Sequence, residues 1–275
     1  MIGKRIINAG ENVLVPSEHF STDLYTGTGS AITVSGMSFQ PDLVWVKSRS
    51  NTWSHLLMNS VTDGTLTSNS TAAEVAQPSF VFNSDGFTTP TGGSWTNNGD
   101  TYVGWSWKAG GVASSNTDGT ITSSVSANTR AGFSVVSYTG NGAASGSIGH
   151  GLSQAPKMMI FKNKGGVTNW FVWHNDGTTL RRLEGLNTTA AAVTSGLITS
   201  FDADTFNFST TTTDFNGSGS NYIAYCFAEV EGFSKIGSFT GQAGDTSGYI
   251  NCGFAPIDRD WETNLFYNPS TSAKQ

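Results

Sequence analysis

From Tyr102 to Trp107 the chain alternates, with Val103, Trp105 and Trp107 on one parity and Tyr102, Gly104 and Ser106 on the other. Successive side chains of a strand point to opposite faces, so this period of two predicts a β-strand with one large-residue face. Ile223, Tyr225 and Phe227 alternate in the same way. Leu43–Lys47, Met158–Lys162 and Trp170–His174 are short, largely apolar runs, the length of strands in a sandwich core. Ala31–Val34 and Asn12–Val15 read as further strands. Gln40-Pro41-Asp42 is a turn, because Pro fixes φ and Asp bonds the local backbone. Helical periodicity is nearly missing; Ala190–Ser195 is the best helix candidate and is short.

The pattern recurs. Tyr25-Thr26-Gly27, Pro41 and Leu43–Lys47 match Tyr138-Thr139-Gly140, Pro156 and Met158–Lys162. Asn69–Ala73 matches Asn187–Ala191, Phe82–Phe87 matches Phe201–Phe206, and Tyr102–Trp107 matches Tyr222–Phe227. Phe239-Thr240-Gly241 and Pro256 begin a third copy. Units of about 100 residues are domain-sized, too long for a solenoid repeat. The expected organisation is an N-terminal arm (1–18), a first β-sandwich repeat (19–111), a Ser/Thr/Asn/Gly-rich connection (112–131), a second repeat (132–232), and a partial third repeat with a tail (233–275). Asp118-Gly119 inside the connection is a hairpin signal, so the connection reads as a short β-ribbon and not a loose tether. The fold class is all-β, with tandem sandwiches of jelly-roll or lectin-like topology.

Composition supports strands and turns: charged residues are 12% of the chain and 33 residues are Gly. A net charge of −6 with few Lys and Arg argues against a nucleic-acid partner and against an anionic membrane surface. No apolar run reaches bilayer-spanning length, and the first residues lack the apolar region of a secretory signal. Cys226 and Cys252 read as free, buried thiols, since the first repeat has Ser106 where the second has Cys226.

Chemical signals are sparse. No GxSxG motif, Cys–His arrangement or metal-type CxxC spacing occurs. No paired carboxylates can be nominated for glycoside hydrolysis. His19, His55, His150 and His174 read as polar residues at the ends of core strands. Asp202-Ala203-Asp204 and Asp85-Gly86 fit turns better than calcium ligands. The reading is therefore no enzyme, no cofactor and no metal. The Asn-Xaa-Ser/Thr triplets at Asn69, Asn187, Asn207 and Asn216 are expected by chance in so Asn- and Thr-rich a chain.

Aromatic residues carry more information. Eight Trp and 17 Phe exceed the needs of two small cores. Trp45, Trp105, Trp107, Trp170 and Trp173 fit cores. Trp53 and Trp95 sit in polar loops and are the candidate ligand-binding residues, as exposed platforms for the C–H faces of sugars. For Trp95 the alternative is a plug folded back onto its own sandwich.

Tyr138–Gly142, Gly149–Leu152, Ala155-Pro156, Asn69–Ala73, Asn83–Phe87, Asn98–Val103 and Ala224–Gly232 together resemble a repeated domain of structural proteins of tailed bacteriophages of marine bacteria and cyanobacteria. The likeness covers about Phe20 to Pro256 and brings no catalytic residues. It departs from the pattern where Met37-Ser38-Phe39 stands opposite His150-Gly151-Leu152. It implies a virion protein on the phage exterior, a tail fibre or receptor-binding component in host attachment. Its partners would be other virion proteins, further copies of itself in a trimer, and a host surface glycan. A capsid decoration or head-fibre protein is the alternative, and a tail-associated glycan hydrolase ranks last.

Overall fold

In the computed structural model the described residues are 14–237, apart from Asp63, Pro78, residues 176–178, Asn187, Ser195 and Thr211. The first half contains β1 (Phe20–Thr26), β2 (Thr33–Ser35), β3 (Leu43–Ser48), β4 (Leu56–Asn59), β5 (Gly64–Thr67), β6 (Val75–Ala76), β7 (Val81–Asn83), β8 (Gly86–Thr88), the one-turn helix α1 (Gly93–Thr96) and β9 (Thr101–Trp107). The connection forms β10 (Ser114–Asn116) and β11 (Ser123–Asn128). The second half contains β12 (Phe133–Thr139), β13 (Ser145–Gly149), β14 (Met158–Asn163), β15 (Phe171–Asn175), β16 (Leu180–Glu184), β17 (Val193–Thr194), β18 (Ile198–Phe201), β19 (Thr205–Ser209), α2 (Thr213–Asn216) and β20 (Asn221–Phe227).

Each half builds a large antiparallel sheet and a small one. The large sheets run β1-β9-β3-β4-β5-β6 and β12-β20-β14-β15-β16-β17, the same order twice, with the β10–β11 hairpin added beside β12. The small sheets, β2-β8-β7 and β13-β19-β18, also correspond. Registers correspond as well: Leu43 lies opposite Trp107 and Trp45 opposite Trp105, while Met158 lies opposite Phe227 and Ile160 opposite Tyr225.

Strand periodicity divides the core into three layers. Val44, Val46, Leu56, Met58 and Tyr102 face the first small sheet, packing on Val34 and Phe87. Met159, Phe161, Trp173, Tyr222 and Ala224 face the second, packing on Ile148, Phe206 and Phe208. The opposite faces of the two large sheets pack on each other: Leu43, Trp45, Leu57 and Leu66 meet Phe133, Val135, Ile160, Trp170, Val172, Ile223 and Tyr225. The architecture is therefore four β-layers, and the inner strands of both large sheets are covered on both sides. The inward face read from Val103, Trp105 and Trp107 is the one turned toward the other half, where Trp105 and Trp107 flank the shared layer.

The two repeats are packed together, and the connection between them is the β10–β11 ribbon that the hairpin signal predicts. A buried aliphatic or aromatic side chain contributes about 1.5–3 kcal/mol, so the dozen buried residues of the shared layer represent on the order of 20 kcal/mol gross. That exceeds the net stability of an ordinary domain, about 5–15 kcal/mol. Separating the halves would return this apolar face to water.

Hydrogen bonds reinforce the seam. The Trp170 indole N–H donates to the Thr67 carbonyl at 3.0 Å. Lys164 pairs with Glu74 at 3.2 Å, with both side chains mostly covered. Ser126 Oγ accepts from Gly110 N at 2.9 Å and donates to the Gly111 carbonyl at 2.7 Å.

Three expectations change. Within the helix candidate Ala190–Ser195, whose last residue lies outside the described ones, Ala190–Thr194 is no helix: Val193–Thr194 form an edge strand paired with Arg181 and Arg182. A six-residue helix has too few bonds to offset nucleation, and β-branched Val193 and Thr194 favour extended backbone. At the N-terminus, Leu14 and Val15 are not in a strand; Val15 caps a 3-10 turn over Pro16–Glu18, with Asn12 and Val13 outside the described residues. Near the C-terminus, Val230 and Ser234 bridge across a tight turn, and the third copy from residue 238 onward, including Cys252, lies outside the described residues.

Candidate functional site

The repeated Tyr-Thr-Gly motif is scaffold. The Tyr25 hydroxyl donates to the Trp95 carbonyl at 2.9 Å, and the Tyr138 hydroxyl to the Phe215 carbonyl at 2.7 Å. Each tyrosine thereby holds the one-turn helix before the last strand. A Cβ on Gly27 would lie 2.1 Å from the Asn97 carbonyl oxygen, and one on Gly140 would lie 2.4 Å from that of Gly217. The motif's glycine is the only residue these crossings admit.

This places Trp95. It sits in α1 at the position that Phe215 holds in α2 and is 5% exposed. Its ring lies 5.3 Å from that of Phe80. Trp95 is the plug of the first half's own core, which corrects its reading as an exposed platform: a four-residue helix has no stability of its own and is held by burying this ring.

Trp53 is different. It lies in the loop between β3 and β4 and is 37% exposed. Its indole N–H donates to Asp100 Oδ2 at 2.6 Å, and Asn97 Nδ2 donates to the same oxygen at 2.9 Å. Asp100 Oδ1 accepts a long bond from Ser50 Oγ at 3.4 Å. Ser50 Oγ in turn accepts from Thr101 N at 2.9 Å. Hydrogen bonds from Asn97 and Trp53 hold the Asp100 carboxyl below the usual carboxylate range. The sister loop lacks both partners: at the matching places stand Thr168 and Ser220. There the loop is covered instead, with Thr168 N donating to the Thr71 carbonyl at 3.1 Å.

The other singled-out residues have structural roles. His150 is fully buried; Leu152 N donates to its Nδ1 at 3.2 Å, so Nε2 carries the proton and donates to the Asp202 carbonyl at 3.2 Å. Burial pushes its pKa down and keeps it neutral. Nδ1 of His19 meets Asn128 Nδ2 at 2.9 Å, beside the Phe233 ring. Asp202 closes its own turn, accepting from Thr205 N at 2.7 Å and Asn207 Nδ2 at 2.7 Å. Asn216 is buried and donates to Asn141 Oδ1 and the Ala143 carbonyl. Cys226 is a buried free thiol, pushed up to about 12 by burial.

Sequence reasoning passed over Lys162, which ends the apolar run of β14. Its ammonium is buried and donates to the carbonyls of Thr71 (3.1 Å), Gly166 (3.1 Å) and Thr168 (2.9 Å), and to Thr168 Oγ1 (3.1 Å). Thr71 belongs to the first half, so one cation ties both halves together. Burial draws its pKa down to about 8, opposed by the Asp214 carboxylate. Lys47 at the matching place in β3 is only partly covered and reaches the Ser48 and Asn51 carbonyls. The signal was present: a lysine in both copies at one position of a core strand.

Two shallow hollows, about 210 and 350 Å³, flank the β10–β11 hairpin and are lined mainly by Ser, Thr, Gly and Ala. Among the described residues, no group of three or more His, Cys, Asp and Glu is placed to hold a metal ion. No helix among them is long and apolar enough to cross a membrane.

Fold and loops define a duplicated, four-layer all-β protein in which a carboxylate pins the Trp53 side chain at the surface. The chain belongs to the family described as a domain of unknown function, DUF7483, which matches residues 15–258 and so spans both halves as one unit. No curated protein and no solved structure matches the chain.

Proposed function

We propose that this chain is a structural protein of a bacteriophage virion, displayed on the particle's exterior as a tail-fibre or receptor-binding component in host attachment. One observation carries the reading. The motifs that resemble the phage domain are the ones that build the fold: Tyr138 and Gly140 lock α2, and Tyr222–Phe227 is the central strand of its sheet. The likeness is therefore one of architecture and not of scattered polar residues. Attachment would be multivalent, with weak contacts multiplied over copies, most simply in a homotrimer.

One feature favours the second reading, a capsid decoration protein. The halves stack face to face through the shared layer, which makes a block and not a rod. A block suits a shell surface, whereas a rod suits a fibre. Cryo-electron microscopy of the intact particle separates the two. Density for this fold at the tail, in a few copies, is the expected result; density on every capsid hexamer would establish the decoration role in its place.

A further inference from the structure

Trp53 is a large apolar side chain that the fold leaves 37% exposed while its one polar atom is tied down. A side chain that merely failed to find a core would leave its N–H to water. Here the N–H is spent on Asp100, Asp100 is spent on Asn97, and Ser50 ties the same carboxylate to β9. The indole is fixed before any ligand arrives, so binding loses little rotamer freedom. The scaffold does not require this arrangement, because the sister half folds with Thr168 and Ser220 at both places. Both members of the pair are present in one half and both are missing from the other.

The surroundings select the ligand. Asn51 and Thr52, next to Trp53 in the loop, are exposed and uncharged, with the Lys47 ammonium against the Asn51 carbonyl at 3.4 Å and Arg49 exposed at the loop's start. Asp100 Oδ1 accepts a long 3.4 Å bond from Ser50, and the Asn51 side chain also hydrogen-bonds this carboxylate, so a ligand hydroxyl would replace one of these weaker donors. An apolar ring face bordered by amide and hydroxyl groups and one carboxylate acceptor matches a pyranose. The sugar's C–H face covers the indole, and its hydroxyls donate to the carboxylate and exchange bonds with the amides.

We propose that Trp53 and Asp100, with Asn51 and Asn97, form a binding platform for neutral pyranose units of a surface glycan. The proposal rests on the host-attachment reading for its biological sense, but its test does not depend on where the protein sits on a particle.

The test uses the full chain labelled with 5-fluorotryptophan, with the Trp53 resonance assigned from the spectrum of Trp53→Phe. Hexasaccharides of glucose, galactose, mannose and N-acetylglucosamine are titrated to about 10 mM, a range suited to a millimolar site. At least one should move the Trp53 resonance alone, with saturation and a Kd on the order of 1 mM. Asp100→Asn should weaken that binding about tenfold, the loss of one charged acceptor. Trp53→Ala should abolish it, detected by saturation-transfer on the saccharide, while the remaining seven tryptophan resonances hold their positions and certify the fold. The platform is overturned if no saccharide moves the Trp53 resonance, if all eight move in parallel, or if Trp53→Ala binds as the parent does. A silent titration with a tail-located protein would remove the platform and leave host attachment standing. Saturable binding by a protein located on the capsid would do the reverse.

Discussion

At the scale of single residues, Trp53 and Trp95 look alike in the sequence, each flanked by Ser, Thr and Asn, and the fold separates them. Trp95→Ala should cost about 3–5 kcal/mol, the usual range for emptying a buried aromatic site; Trp53→Ala should cost under about 1 kcal/mol, as for a surface position. Urea denaturation of both variants measures the contrast, and equal losses would contradict it. The difference was legible in one way: Trp95 precedes Tyr102 by the same interval that separates Phe215 from Tyr222. Local composition pointed the other way, because a one-turn helix leaves no periodicity to read. Trp53 has no aromatic counterpart, so only three-dimensional contact could show its tie to Asp100. Lys162 offers a second measurement. With its folded pKa near 8 against an ordinary 10.5, the unfolded chain holds more protons between those values. Stability from this group therefore rises as pH climbs from about 8 toward 10.5 and is lost as pH falls through 8. The stability gap between the parent and Lys162→Met should widen in the parent's favour from pH 7.5 to about 9.5. Thermal melts across that range, taken as differences so that shared tyrosine ionisation cancels, would show a flat gap if the ammonium were in fact solvated.

At the scale of elements, the alternation in Tyr102–Trp107 and Tyr222–Phe227 was read correctly as strand. What it could not convey is which neighbour each face meets. Period two says only that the faces differ; in these strands both are buried, one against a small sheet and one against the other half. β1 shows what single coverage looks like: its residues are at most partly buried, and Leu24 is 62% exposed. Its sister β12, flanked by β11 as well as β20, is nearly all covered. The shared layer makes a prediction about cooperativity. Tyr225→Ala, at its centre, should lower stability by about 3–5 kcal/mol and leave one transition. Far-ultraviolet circular dichroism and tryptophan fluorescence should trace the same unfolding curve. Two resolved steps would mean that the halves fold separately.

On the scale of the whole molecule, a third core accounts for part of the surplus of aromatic residues. Trp45, Trp105, Trp107 and Trp170 are core residues, as their places in strands predict; what the strands do not reveal is that the core they line, together with Tyr225, lies between the two halves. Repetition was legible because matched turns and strands carry matched residues. The mode of packing was not, because a face that meets its own counterpart has the same composition as a face that meets a small sheet. The family match across both halves agrees with a single unit.

The shared layer also has a consequence for concentration. Equivalent faces of two similar bodies meet as the subunits of a homodimer do, yet the chain from Gly110 to Ala131 joins them. Association is therefore intramolecular, with an effective concentration fixed by the connection and not by how many molecules are present. A dissociating dimer loses its interface by mass action when diluted. This protein keeps its interface at any dilution, and a single copy on a surface is as complete as a concentrated solution of them.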